Sequence, residues 1–303
     1  MRKLKHVTDG DIAFIKKVID STRKRKEDDG LPKNQTYKAR CKSVVDTHKD
    51  YIEKYDEAFA NNKLESLEGT HPVLGKKTKD DIQSLYSYSR KDIADLRHRV
   101  LTEDNYEIAL CPLCGISLSN TLDHFIPQTD YPLFAVHPRN LIPSCTTCNG
   151  HKSDNITDKT GKRKFWNVYL DNPPKEEYLF CDVIERKGMP WVKFRIEQGK
   201  IDDETFRLIQ NTMSEDGQKM LSVYESAQSE YLQHLVNICI DYIRKNADKH
   251  SLGDCFKIVK EIMEYGFTPN KCEDVMKIAL LESTIFQMYV ETKLKELNIT
   301  YRK

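Results

Sequence analysis

The sequence predicts an α+β protein, mostly α, in which helical regions flank a small loop-rich module and a β-hairpin. Apolar residues at helical spacing dominate both ends of the 303-residue chain. Residues 106–165 instead hold short apolar pieces broken by Pro, Gly, Asn and Asp, and two strand-like runs follow them. These changes divide the chain into three predicted regions: 1–105, 106–165 and 166–303.

Composition and charge exclude some classes of function. The chain has 48 Lys and Arg against 47 Asp and Glu, a formal net charge of +1, so total charge does not by itself favour a polyanionic partner. No apolar run reaches the roughly 18 to 20 residues that a membrane span needs. The basic N-terminus lacks the continuous apolar stretch of a secretory signal. We therefore expect a cytoplasmic protein that does not contact a membrane.

The N-terminal region, 1–105, is predicted to be helical. Three segments carry the helical spacing: "GDIAFIKKVIDSTRKRK", "KSVVDTHKDYIEKYDEAF" and "TKDDIQSLYSYSRKDIADLRHRVL". The third begins at a plausible Thr or Asp cap. Their apolar positions include Ile12, Ile15, Val18, Ile19, Ile82, Leu85, Ile93 and Leu96.

The C-terminal region, 166–303, is predicted to begin with a hairpin and to continue as helices. "YLFCDVI" and "WVKFRIE" are strand-like runs around a Gly-Met-Pro turn. From about residue 203 onward the pattern is amphipathic and helical. Three segments carry it: "DGQKMLSVYESAQSEYLQHLVNICIDYIRKNADKHS", "SLGDCFKIVKEIMEYGF" and "CEDVMKIALLESTIFQMYVETKLKEL".

Four of the nine cysteines form two Cys-x-x-Cys pairs. They are Cys111, Cys114, Cys145 and Cys148, and thirty residues separate the pairs. Two such pairs complete the tetrahedral four-thiolate shell that a structural zinc ion prefers. Four unligated thiols are a less favoured alternative, and a redox pair is weaker still because no βαβ pattern surrounds the motif. Because a closed shell has no open position, this zinc is expected to hold the fold and not to activate water.

Polar residues with a different chemistry lie between and directly after these pairs. Asp123 and His124 are adjacent in "LDHFIP", Asn140 precedes "LIPSC", and Asn149 follows the second pair. In this order the motifs resemble the HNH, or His-Me finger (ββα-metal), endonuclease family. The resemblance covers roughly residues 111–155.

The resemblance implies a role for each of these side chains. His124 would be the general base that deprotonates the attacking water, and Asp123 would bind a divalent ion. Asn140 would brace the loop that holds His124. "NGHKSDN" resembles the metal-binding helix of the HNH domain in CRISPR effectors, so Asn149 would be the second metal ligand, with His151 as the alternative. His137 is expected to be a loop residue and not a ligand.

Elementary chemistry supports this assignment. Imidazole, with a pKa near 6.5, can activate water near neutral pH. Asp and Asn oxygens suit a hard ion such as Mg²⁺ or Mn²⁺. Adjacent residues of an extended segment point to opposite sides, so Asp123 and His124 can serve the metal and the water separately.

A basic segment follows the motif and predicts contacts with the nucleic-acid backbone, DNA being favoured. A solvated loop is the alternative for these residues. The predicted contacts are Lys152, Lys162, Arg163 and Lys164, with Lys159 nearby.

The segment after the module resembles, more loosely, the tail of HNH proteins of Septu-like anti-phage systems. This resemblance implies an ATPase or another defence protein as partner. Two other functions stay open: a nuclease that is silent until such a partner docks, and a non-catalytic zinc-ribbon adaptor.

Overall fold

The computed structural model describes residues 1–7, 11–214 and 219–302. Over these ranges the protein is α+β and about half helical, and its strands form short antiparallel pairs. The predicted α+β class is thereby confirmed, with about half of the residues helical. The chain forms two compact units, Met1–Pro173 and Pro174–Lys303, which are described separately below. The three sequence regions stay a prediction. No helix in the described ranges has the length and apolar character needed to cross a membrane.

Helices form the first part of the first unit. The second predicted helical segment forms two helices that meet at His48. The third is interrupted after Gln83, where the hydroxyl of the next residue, Ser84, donates to the Asp81 carbonyl. Gly10, where the first predicted segment begins, lies outside the described residues. The helices are α1 (Asp11–Asp20), α2 (Tyr37–Thr47), α3 (Lys49–Ala60), α4 (Lys76–Gln83) and α5 (Lys91–Leu101).

The later part of this unit carries short strands and one short helix. The strands β1 (Thr102–Glu103) and β2 (Tyr106–Glu107) form a first antiparallel pair. The second pair is β3 (Thr121–His124) with β4 (Leu141–Ser144), and α6 (Thr146–His151) follows it directly. His124 lies opposite Leu141 in the register. Cys145 directly precedes α6 and Cys148 lies in its first turn. The second cysteine pair therefore lies at the junction between β4 and α6.

The second unit begins with the predicted hairpin. β5 (Leu179–Arg186) pairs with β6 (Met189–Ile196) in antiparallel register. The turn was predicted at Gly-Met-Pro, but it is formed by Lys187 and Gly188, with φ of 54° and 75°. Positive φ at both positions of a two-residue turn matches the right-handed twist of the strands. Met189 and Pro190 consequently belong to β6 and not to the turn.

Helices complete the second unit. The last predicted segment is divided at Ser283, whose extended backbone (φ −81°, ψ 125°) separates two helices. The Gln228 side chain bonds both the amide and the carbonyl of Val192, which covers the outer edge of β6 at that point. Residues 216–218, where one predicted segment begins, are not among the described residues. The helices are α7 (Asp203–Met213), α8 (Met220–Asn246), α9 (Leu252–Glu264), α10 (Cys272–Glu282) and α11 (Thr284–Glu296).

Candidate functional site

The four cysteines of the two pairs converge, as the sequence predicted. All four are buried, and their sulfur atoms lie within 4.8 Å of one another. The Sγ atoms of Cys114 and Cys145 are 3.9 Å apart. A tetrahedron with zinc–sulfur bonds of about 2.3 Å has sulfur–sulfur edges of about 3.8 Å. The Cys148 amide also donates to the Cys145 sulfur, at 3.4 Å. The cluster therefore fits a structural zinc ion.

Asp123 lies on the face of β3 that α6 covers. Two residues earlier on the same face, the Thr121 hydroxyl accepts from the side-chain amide of Asn149, at 3.1 Å. The Lys152 ammonium lies 3.2 Å from Asp123 Oδ1 and donates to the His124 carbonyl at 2.6 Å. Asp123 is only 7 % exposed. The structure thus brings the predicted metal ligands Asp123 and Asn149 to one face of the strand.

His124, as the adjacent strand residue, points to the other face. Its ring meets the Tyr86 ring edge-on, with centroids 4.5 Å apart. Its Nε2 lies 2.8 Å from the Ala135 carbonyl oxygen. Because a carbonyl only accepts, Nε2 of the neutral ring carries the hydrogen and Nδ1 is the basic nitrogen. Burial lowers the pKa of His124 below its ordinary value of 6.5, which keeps the imidazole neutral at neutral pH.

Asn140 is fully buried and ties together both ends of the segment after His124. Its Oδ1 accepts from the Ile126 amide at 2.7 Å, and its Nδ2 donates to the carbonyls of Ile126 and Phe134, each at 3.0 Å. The Tyr55 hydroxyl adds a bond to Oδ1 at 3.2 Å. Since Ala135 follows Phe134, these bonds fix the carbonyl that orients His124.

His151 and the predicted nucleic-acid contacts differ widely in environment. Lys162 is exposed, and the Lys164 ammonium donates to Ser153. Arg163 is 5 % exposed and makes a bidentate ion pair with Asp171, at 2.5 and 2.7 Å. Its guanidinium therefore stabilises the fold, contrary to the predicted contact with nucleic acid. His151 is half-buried at the end of α6, and its Nδ1 has no hydrogen-bond partner among the residues that the structure describes.

The sequence interpretation missed a buried polar cluster around His137, which was expected to be a loop residue. His137 is fully buried, and its Nε2 lies 3.3 Å from Asp56 Oδ1. The Arg139 guanidinium lies 2.7 Å from that oxygen and 3.3 Å from Asp11 Oδ2. Asp11, Asp56 and His137 form a second group of metal-type ligands. No local sequence pattern predicts this cluster, because its members come from α1, α3 and the segment before β4.

The pKa values in this cluster move in opposite directions. Burial, together with the neighbouring Asp56, raises the pKa of Asp11. Burial also acts to raise the pKa of Asp56, but the adjacent His137 and Asp11 side chains and the positive charge of Arg139 outweigh it and lower that pKa. The pKa of His137 is lowered by burial. One proton and one guanidinium therefore compensate the two carboxyl groups near neutral pH.

Comparison with known proteins gives partial similarities. No protein-family model matches the chain, and no solved structure gives a significant match. Over 145 residues, 46% of this chain, it is 35% identical to protein ea31 of Escherichia phage lambda and covers 48% of that protein. Over 79 residues, 26% of this chain, it is 33% identical to the Septu protein PtuB of Bacillus thuringiensis and covers 30% of it. The matched segments thus span less than half the length of either relative.

Proposed function

We propose that this chain is a divalent-metal-dependent endonuclease of the HNH type, which hydrolyses phosphodiester bonds of nucleic acid, with DNA as the favoured substrate. The observation that carries the proposal is the arrangement around β3. His124 is oriented on one face by the Ala135 carbonyl, and Asp123 contacts Lys152, directly after α6, on the other.

His124 acts in this proposal as the general base. Its hydrogen bond from Nε2 leaves the lone pair on Nδ1, and its lowered pKa keeps that lone pair available at neutral pH. Asn140 acts indirectly, because its bonds to the segment 126–134 hold the carbonyl that orients the ring. The base therefore needs no rearrangement before it accepts a proton from water.

Asp123 and Asn149 are the proposed ligands of a Mg²⁺ or Mn²⁺ ion. Asp123 offers a carboxylate, and the Asn149 amide nitrogen donates to Thr121, so its carbonyl oxygen remains for a metal. Such oxygen donors fit a hard divalent ion. When bound, the ion would neutralise charge that develops on the phosphate and the leaving oxygen. The four-cysteine cluster fixes the start of α6 and so positions Asn149.

We also propose a role in anti-phage defence together with a partner protein, such as an ATPase. The partial similarity to the Septu protein PtuB supports this proposal. Exposed basic residues after the motif, including Lys159 and Lys162, would add contacts to the nucleic-acid backbone. Arg163 has no part in this, because its guanidinium is engaged inside the unit.

A cleavage assay tests the proposal directly. Purified protein is incubated with plasmid, linear DNA or RNA in Mg²⁺ or Mn²⁺, with and without the products of neighbouring genes. His124→Ala is expected to abolish cleavage while zinc content and melting stay unchanged. His71→Ala, at an exposed histidine of the same unit, is the matched control and should retain cleavage. Full cleavage by His124→Ala would refute the assignment.

A second candidate is a non-catalytic zinc-ribbon adaptor. The observation that favours it is the ion pair between Asp123 and Lys152, which neutralises the carboxylate without any metal ion. An adaptor would bind nucleic acid or protein equally well after His124→Ala and would cleave no substrate under any condition. A nuclease that is silent alone would instead cleave once the neighbouring gene products are added.

A further inference from the structure

Lys152 lies in the candidate site in a way that a backbone-binding lysine does not require. Its side chain is 7 % exposed, against 9 % for that of Asp123. The residue directly follows α6, and its ammonium turns back toward the end of β3. The chain thus places a buried positive charge on the carboxylate that is the proposed metal ligand.

Among the described residues, the contacts of the Lys152 ammonium come from one short segment. It lies 3.2 Å from Asp123 Oδ1, donates to the His124 carbonyl at 2.6 Å, and stands 5.7 Å from the centre of the Phe125 ring. Of these partners only Asp123 carries a negative charge. In the described part of the chain, the Asp123 carboxylate therefore compensates the ammonium, and the carbonyl and ring orient it.

A divalent cation and this ammonium compete for the same charge. Two cations on one carboxylate repel each other, and the repulsion is strong where water is largely excluded. A metal ion that binds Asp123 must therefore displace the ammonium or accept a large loss of affinity. The ammonium also stabilises the metal-free site, since a buried carboxylate without a partner is costly.

We propose that Lys152 is the internal counter-cation of Asp123, which a divalent ion has to displace, and that it thereby sets the metal affinity of the site. The inference rests on the proposed role of Asp123 as a metal ligand. In the metal-free protein Lys152 keeps Asp123 and the His124 backbone in place. Because the ion has to displace the ammonium, the metal site is occupied only at a higher free concentration of the divalent ion than it would need without the Lys152 charge.

Metal binding by the zinc-loaded, full-length chain tests this inference without an activity readout. Free Mn²⁺ is titrated by electron paramagnetic resonance in the wild type, Lys152→Gln, Asp123→Asn and the double variant. Gln retains a donor for the His124 carbonyl and removes the charge. Lys152→Gln should bind Mn²⁺ about tenfold or more tightly. Adding Asp123→Asn should abolish that gain.

Control variants separate this effect from a general loss of positive charge. Lys162→Gln removes a charge from an exposed position of the same basic segment and should leave Mn²⁺ affinity unchanged. Lys152→Arg keeps a charge and should bind Mn²⁺ at least as weakly as the wild type. If Lys152→Gln does not fold, Lys152→Met gives the same comparison, and Mn²⁺ should raise its melting temperature more than that of the wild type.

The outcomes distinguish two failures. If Lys152→Gln binds Mn²⁺ no more tightly than the wild type while Asp123→Asn loses binding, the role of Lys152 is wrong and the proposed metal site stands. If Asp123→Asn binds Mn²⁺ as the wild type does, both the metal site and the role of Lys152 are wrong.

Discussion

The described residues of the first unit hold two largely buried groups of metal-type ligands, which differ in what already neutralises them. The four cysteines and the Asp11–Asp56–His137 group each bring their ligand atoms within 4.8 Å of one another. The thiols contact one another at a spacing that suits a zinc ion. The oxygen and imidazole group instead holds the guanidinium of Arg139. Close ligands are therefore not sufficient for a metal site, because a fixed internal cation can take the place of the metal.

Asp123 is intermediate between these two groups, because it has an internal cation but one that is held by fewer contacts than Arg139. Its partner is a lysine, which contacts a carboxylate as a single ammonium and not through a planar fork. Arg139 contacts two carboxylates at once, whereas Lys152 contacts one. We thus expect a metal ion to displace the internal cation more easily at Asp123 than at Asp11 and Asp56.

Cys145→Ser should remove the zinc ion and unfold the module around α6, at a cost of several kcal/mol, because zinc binding contributes directly to folding. Metal analysis and thermal unfolding measure both effects. Cys41→Ser is the matched control, since this thiol is equally buried but donates to the Asp81 carbonyl outside the cluster. Loss of zinc with unchanged melting would contradict the structural role.

Arg139→Met should destabilise the protein by about 3 kcal/mol, because it leaves two carboxyl groups without their cation. Added Zn²⁺ should then restore much of the melting temperature, since the ligands left behind can bind an ion. The control is Arg163→Met, which breaks a buried arginine pair with Asp171 that belongs to neither ligand group found among the described residues. Equal rescue of both variants by Zn²⁺ would argue against the comparison.

Asn140→Asp should cost about 2 to 3 kcal/mol, measured by denaturant unfolding. The substitution keeps an acceptor for the Ile126 amide but loses both donors, to the carbonyls of Ile126 and Phe134. Asn149→Asp, at a half-buried position with one amide bond, should cost less. A larger loss at Asn149 would show that the bracing of the segment 126–134 matters less than inferred.

The smallest predicted effect is a change in pH dependence. The pKa of Asp11 is raised in the folded state, so its contribution to stability is complete below its ordinary value of 3.8 and is lost as the pH rises through the raised value. Asp11→Asn mimics the protonated form and should flatten the fall in the free energy of unfolding from about pH 4 upward. Asp154→Asn, at an exposed carboxylate, should leave the profile unchanged. An unchanged profile in Asp11→Asn would contradict the raised pKa of Asp11 in the folded protein.

Several features of the fold and the site could be predicted from the sequence because they depend on short spacing. The two Cys-x-x-Cys pairs predicted the cluster, and helical periodicity predicted the buried faces, such as Ile15 and Val18 on α1. The hairpin of β5 and β6 was found, although its turn lies at Lys187 and Gly188. The divisions at His48 and Ser283 were missed, because a backbone break leaves the apolar pattern almost unchanged.

The sequence by itself determined which chemical groups this protein possesses. They are two Cys-x-x-Cys pairs, the adjacent Asp123 and His124, and the asparagines Asn140 and Asn149 that follow them in the chain. Only the tertiary structure decided which of these groups are already neutralised. Arg139 and Asp56 meet across 83 positions of sequence, and Lys152 returns to Asp123 across 29. Spacing along the chain predicts ligands, but the free energy of a buried charge depends on its neighbours in space, and those neighbours come from distant segments.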